Sequence, residues 1–175
     1  MNHVSLVMTI IGPDRPGLVD SVAHAVRSFD GNWEESRMLH LSGQFAGICR
    51  ITCPESKLAQ LKESLKALED VGVFSTVVTD AEQMQPTSSK RMHLNLIGLD
   101  RPGLLKALTS SIAKHGINVE ELKTQCRCAP TTGEILFEAD IIIQESESSR
   151  LDELEKDLDA IGQELMVDIH LEDDE

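Results

Sequence analysis

A chain of 175 residues can form one domain or two small ones, and 41% apolar content is enough to bury a core. The 30 acidic residues outnumber the 16 basic ones, giving a net charge of −14. Nucleic-acid binding rests on neutralising phosphates with Lys and Arg, so this balance speaks against direct contact with DNA or RNA and for a well-solvated protein.

The start MNHVSLVMTIIG shows neither a basic leader nor a cleavage signal, and no apolar run approaches the ~20 residues of a membrane span. The expectation is a cytoplasmic protein with no membrane contact. Val4–Ile11 is a short β-branched run that reads as a strand, ended by Gly12. Asp14, Arg15 and Pro16 then open a helix, with Asp as the cap and Pro in the first turn. Leu18, Val22, Val26 and Phe29 give that helix an apolar stripe, and Asp30-Gly31-Asn32 stops it.

Trp33–Leu41 and Gln44–Thr52 read as strands joined by a Ser42-Gly43 hairpin. Pro54 starts a second helix with Leu58, Leu61, Leu65 and Leu68 on one face, and Val73–Thr79 closes the unit as a strand. The polar stretch DAEQMQPTSSK then marks a linker.

Beyond it the chain repeats itself. IGPDRPGLVDSV begins at Ile11 and IGLDRPGLLKAL at Ile97, so Gly12, Asp14, Pro16 and Gly17 recur 86 positions later as Gly98, Asp100, Pro102 and Gly103. Met92–Leu99 supplies the second copy's first strand, and Leu104, Leu108 and Ile112 keep the same shift. The shift grows to 90 at the hairpin glycine, Gly133, and to 93 across Leu151, Leu154, Leu158 and Ile161. Spacing is kept inside elements and lost in loops, as expected when a core is preserved. The reading is α+β: two ferredoxin-like βαββαβ units, each an antiparallel sheet with its helices on one face. Residues 1–80 and 91–171 form the units, 81–90 the linker, and 172–175 a frayed acidic tail. Each sheet leaves one face bare, which predicts packing of the units and a homo-oligomer.

The repeated phrase sits where a strand hands over to a helix. Gly12 and Gly98 remove a side chain where backbone or ligand comes close. The helix start offers unpaired N–H groups and the positive end of the dipole, which suits a carboxylate. Gly17 and Gly103 keep the first turn uncluttered, while Asp14 and Asp100 either cap the helix or accept bonds from an ammonium group. The phrase reads equally as a free amino-acid site or as a capped turn with no ligand.

The phrase, its place and its recurrence resemble tandem ACT domains, small amino-acid-sensing modules of metabolic regulation. The stretch GNWEESRMLHLSGQFAGICRI after the first helix is similar to the amino-terminal half of repressors of the glycine cleavage operon. In such modules ligands sit between two ACT units, touching the first loop and the start of the next strand. The resemblance implicates Gly12, Asp14, Pro16, Gly17, Leu18 and Asn32, and in the second copy Gly98, Asp100, Pro102, Gly103, Leu104 and Asn118. It implies a small amino acid, glycine or serine, as ligand, and a LysR-type transcriptional activator as protein partner. No cofactor is implied. The alternative is a regulatory subunit that binds and tunes an amino-acid biosynthetic enzyme.

Other chemistries find little support. Cys49, Cys53, Cys126 and Cys128 lack zinc-ligand spacing and read as small buried side chains. The six histidines do not recur between copies, and no nucleophile elbow, phosphate loop or HExxH is present, so the chain is not expected to be an enzyme. An RNA-recognition sheet needs aromatic platforms, and this chain has one Trp, four Phe and no Tyr. Trp33 and Met38 belong to sheet packing or an interface.

Overall fold

The computed structural model describes residues 2–79, 90–145 and 150–173. The chain divides into two compact units, residues 1–84 and 85–175, each with its own core. The first runs β1 (His3–Pro13), α1 (Leu18–Ser28), β2 (Asn32–Leu41), β3 (Gln44–Pro54), α2 (Leu58–Ala67) and β4 (Phe74–Thr79). The second repeats the order as β5 (Arg91–Leu99), α3 (Leu104–Lys114), β6 (Asn118–Cys128), β7 (Ile135–Gln144), α4 (Leu151–Leu165) and β8 (Val167–Asp173). Both sheets are antiparallel, with strand orders β2-β3-β1-β4 and β6-β7-β5-β8.

Period-two and period-3.6 patterning build each core. Leu6, Met8 and Ile10 on β1 and Cys49, Ile51 and Cys53 on β3 point to one face, where Leu18, Val22 and Val26 of α1 and Leu61 and Leu65 of α2 cover them. In the second unit Leu94 and Leu96, Ala139, Ile141 and Ile143 meet Leu104, Leu108, Ile112, Leu154 and Leu158. Trp33 and Met38 are partly buried against the first core, in keeping with the packing half of the expectation. Burial pushes the Cys49 thiol up to about 11, as befits an inert core cysteine.

The structure corrects several boundaries. Helix α1 starts at Leu18 behind Gly17, not at Asp14, and neither it nor α3 has a side-chain cap. Gly17 and Gly103 hold φ of 87° and 99°, the left-handed region open to glycine, and that kink sets the helix start. A 3-10 turn at Glu55–Lys57 separates Pro54 from α2. Cys126 and Cys128 are exposed, since β6 is an edge strand whose far end lies beyond the helices' cover. The expected linker falls, apart from Lys90, outside the described residues. Of the expected tail, Glu172 and Asp173 belong to β8 and pair with His93 and Met92; the ion pair of Asp173 with Lys90 (2.5 Å) holds the strand end.

The uncovered sheet faces differ. In the first unit Leu39, Ala46, Ile11 and Phe74 form one row across all four strands, with Ile48 in the next; Leu39, Ile11, Phe74 and Ile48 are exposed. The corresponding face of the second unit carries Gln125, Glu138, Ile97 and Asp168, then Lys123, Asp140, Asn95 and His170. Ile97, Ile142, Leu99 and Leu136 also lie on this second face, but its two middle rows are mostly polar.

Candidate functional site

The two copies of the repeated phrase form the same local structure. Each loop leaves the end of a central strand and is tied to the neighbouring hairpin through the backbone of its aspartate. The Asp14 N–H donates to the Gly43 carbonyl (2.9 Å), and the Asp100 N–H to that of Ile135 (2.8 Å). Ser42 and Gly43 both have positive φ, the turn chemistry that lets the first hairpin fold tightly beside the loop. The helix then starts at the left-handed glycine, whose carbonyl accepts the first helical bond from Ser21 or Ala107 (2.9 Å each). The N–H groups of the first turn have no carbonyl within the helix to meet.

Gly12 and Gly98 are explained by packing. A Cβ on Gly12 would lie 2.8 Å from the Gly72 carbonyl oxygen, and one on Gly98 would lie 2.2 Å from Cγ1 of Val167. The fourth strand of each sheet, or the turn entering it, therefore fills the space, so the close approach comes from the protein's own chain. Gly17 and Gly103 differ: a Cβ there meets nothing within 4 Å, and conformation alone selects glycine.

The candidate residues divide. Gly12, Asp14, Pro16 and Gly17 lie together at one loop, and Gly98, Asp100, Pro102 and Gly103 at the other, with Asp, Pro and left-handed Gly exposed in each. Leu18 and Leu104 begin the helices there, but their side chains are buried in the cores. Asn32 and Asn118 do not join their own loops. Asn32 shares a row with Thr52 and Ser5, whereas the loop follows the row of Gly12, seven residues along β1, or ~23 Å at the strand rise. Asn118 lies likewise at the far end of its sheet, in the row of Gln144 and Arg91.

Another residue of the same strand reaches each loop. His40 shares a row with Phe45 and Gly12, and its Nε2 lies 3.6 Å from Oδ2 of Asp14. Cys126 shares a row with Phe137 and Gly98, which places it beside the loop of Asp100. Desolvation, with the charge of Asp100, holds the Cys126 thiol above its ordinary pKa, so it stays neutral. His40 and Cys126 are themselves 86 positions apart, a match that takes on meaning only through the strand registers. On the first loop Arg15 turns away and donates from Nη2 to the Val71 carbonyl (2.7 Å).

A second polar cluster lies on the open face of the second unit, around a shallow cavity of about 220 Å³ lined by His93, Glu121, Lys123, Asp140 and Ile142. His93 pairs through Nε2 with Asp140 and through Nδ1 with Glu172 (3.4 Å), linking β5 to both neighbours. Asn95 and His170 complete this face. The hydrogen bond to Asp140 outweighs desolvation and, with Glu172, raises the His93 pKa above its ordinary 6.5. A raised folded pKa means stabilisation that is full below about 6.5 and is lost as pH rises through the folded value. The melting temperature of the wild type is therefore expected to fall more between pH 6 and 8.5 than that of His93→Gln; parallel curves would contradict this role. Among the described residues, no group of three or more His, Cys, Asp or Glu is placed to hold a metal ion. No helix among them is long and apolar enough to cross a membrane.

Two βαββαβ units with a duplicated strand-to-helix loop define a tandem ferredoxin-like architecture. The ACT domain profile matches residues 5–77 and again residues 90–172, so the chain belongs to the ACT domain family and carries two copies. The glycine cleavage system transcriptional repressor of Escherichia coli (strain K12) is 23% identical over 125 residues, covering 71% of this chain. The match spans 66%, a little under two thirds, of that repressor's length. A crystal structure of an unknown protein from Galdieria sulphuraria superimposes with a TM-score of 0.87 at 28% identity, over 99% of this chain and all of that one. Another, of a protein assigned as a glycine cleavage system transcriptional repressor, gives 0.72 at 20% identity over 100% and 99% of the two chains, and so shares the fold.

Proposed function

We propose that this chain is a non-enzymatic regulator that senses a small amino acid, glycine or serine, and represses transcription through contact with a protein. The observation that carries the reading is the duplicated loop. In each copy an exposed aspartate stands beside a helix start that no side chain caps, one group suited to an ammonium and the other to a carboxylate, although in the first copy the Leu18 N–H already donates to the Arg15 carbonyl (3.4 Å). Gly12, Asp14, Pro16 and Gly17, with Gly98, Asp100, Pro102 and Gly103, are the binding residues in this reading. Asn32 and Asn118, at the far ends of their sheets, are left out of their own loops in this reading, while Leu18 and Leu104 support the loops from the core.

Likeness to the Escherichia coli repressor supports the regulatory role, and the net charge of −14 favours action through protein rather than DNA. The partner is a LysR-type activator of the glycine cleavage operon. The exposed row of Leu39, Ile11 and Phe74 supports self-association of the chain.

Affinity capture with the tagged full chain from cells that also express an untagged copy tests these contacts together. The expected catch is a DNA-binding activator and the untagged chain. Recovery of a biosynthetic enzyme instead would favour a regulatory subunit. A discrete complex between the purified chain alone and operator DNA at low salt would overturn the protein-mediated reading.

A further inference from the structure

We infer that His93 is a proton-operated staple: its doubly protonated ring holds the edge strand β8 to the second sheet, and its neutral ring lets go of β8 while keeping β7.

Nε2 of His93 faces Asp140 on β7, and Nδ1 faces Oε1 of Glu172 on β8 (3.4 Å). A carboxylate only accepts hydrogen bonds, and a neutral imidazole has a single N–H to give. Both contacts therefore hold together only in the imidazolium. The surroundings favour that form. Glu121 and Lys123 of β6 line the same cavity as His93, so three carboxylates and one ammonium group surround the ring. On its own strand Arg91 and Asn95 lie two residues to either side, and Arg91 is drawn to Glu120 (2.8 Å). Ile142 and Gln144 of β7 carry no charge, and His170 and Asp168 lie further along this face of β8. The raised His93 pKa agrees with that balance.

Deprotonation removes one of the two contacts. The Glu172 contact is near the outer limit of a hydrogen bond, and the Glu172 side chain is 73% exposed against 50% for Asp140. Glu172 accordingly turns to water while the Nε2–H stays on Asp140. In the sheet order β8 neighbours β5 alone, so its end then relies on the backbone ladder and the pair of Lys90 with Asp173. Loss of the proton thus acts locally, on β8, besides lowering stability as a whole. An edge strand is where a sheet offers backbone groups to another chain, so this loosening changes the surface the second unit presents. The first unit has no such device. Val7, 86 positions before His93, is in register with Val78 on the edge strand β4, and neither residue titrates.

Ring ¹⁵N spectra of the full chain report the protons on His93, and amide exchange, corrected for its intrinsic pH dependence, reports the strands. Below the observed His93 midpoint both ring nitrogens should be protonated; above it the remaining proton should sit on Nε2. Across that midpoint the protection of the β8 amides from Ile169 to Asp173 should fall about two- to fivefold, the size expected of an exposed pair. Amides of β4 should stay level, as an internal control. Glu172→Gln should abolish the change, because a side-chain amide can donate to the neutral ring or accept from the charged one. His93→Gln should abolish it too, and the same spectra report whether each variant keeps the fold. A neutral ring with its proton on Nδ1 would contradict the inference. So would β8 protection that is level across the midpoint, or that falls equally in Glu172→Gln.

Discussion

Gly98→Ala is expected to lower the melting temperature by about 2–12 °C. The added Cβ would lie 2.2 Å from Cγ1, 2.8 Å from Cβ and 3.2 Å from Cα of Val167, all inside ordinary carbon contact distance. Val167 is buried and begins β8, paired with Gly98 itself, so it has little room to retreat. Overpacking of this kind costs about 1–3 kcal/mol, and a chain of this length shifts by roughly 2–4 °C per kcal/mol. Val167→Ala in the same molecule removes the nearest methyl groups and should recover part of the loss, a positive coupling in a double-mutant cycle. Gly12→Ala is expected to be as costly without such rescue. Its new Cβ would meet the Gly72 carbonyl oxygen at 2.8 Å, and a backbone atom cannot be trimmed. A Gly98→Ala variant that melts with the wild type would show that packing does not select this glycine.

That experiment also clarifies what each glycine of the repeated phrase can be used to test. Gly17 and Gly103 face open space at positive φ, so any larger residue there strains the backbone, a β-branched one most of all. Loss of binding in such a variant would mix strain with crowding. Asp14 and Asp100 are cleaner positions, because neither caps a helix in the structure.

How far the sequence revealed the molecule depended on whether a feature was local. The strands of both units could be read from alternating residues such as Leu6, Met8 and Ile10, and the helices from stripes such as Leu104, Leu108 and Ile112. These patterns record burial on a single element. The loop was legible for a different reason, namely that the chain states it twice. The helix start was misread because Asp14 and Pro16 carry good start signals, while the residue that fixes the turn, Gly17, acts through a dihedral angle that composition does not show.

The neighbours of the loop were harder to find. His40 reaches Asp14 only through two antiparallel registers, His40 to Phe45 and Phe45 to Gly12. The equal shift to Cys126 has no meaning until those registers are known. Asn32 shows the reverse. Its closeness to the phrase in sequence conceals that α1 carries the chain back to the opposite end of the sheet. The polar face of the second unit escaped notice because its charged residues alternate with core residues along strands read mainly for their apolar half.

The central claim is that the duplicated loop holds a small amino acid, and the melting temperature of the full chain against each of the twenty amino acids tests it most directly. A ligand bound only by the folded state stabilises it by about 2.7 kcal/mol at a hundredfold excess over its dissociation constant. For this chain length that is a rise of about 5–10 °C. Glycine or serine should produce it, with the shift growing until the titration saturates, and Asp100→Asn should reduce it while leaving the unliganded melt nearly unchanged. A panel in which neither glycine nor serine, nor any other amino acid, moves the melting temperature would contradict the account and leave the repeated phrase as a turn.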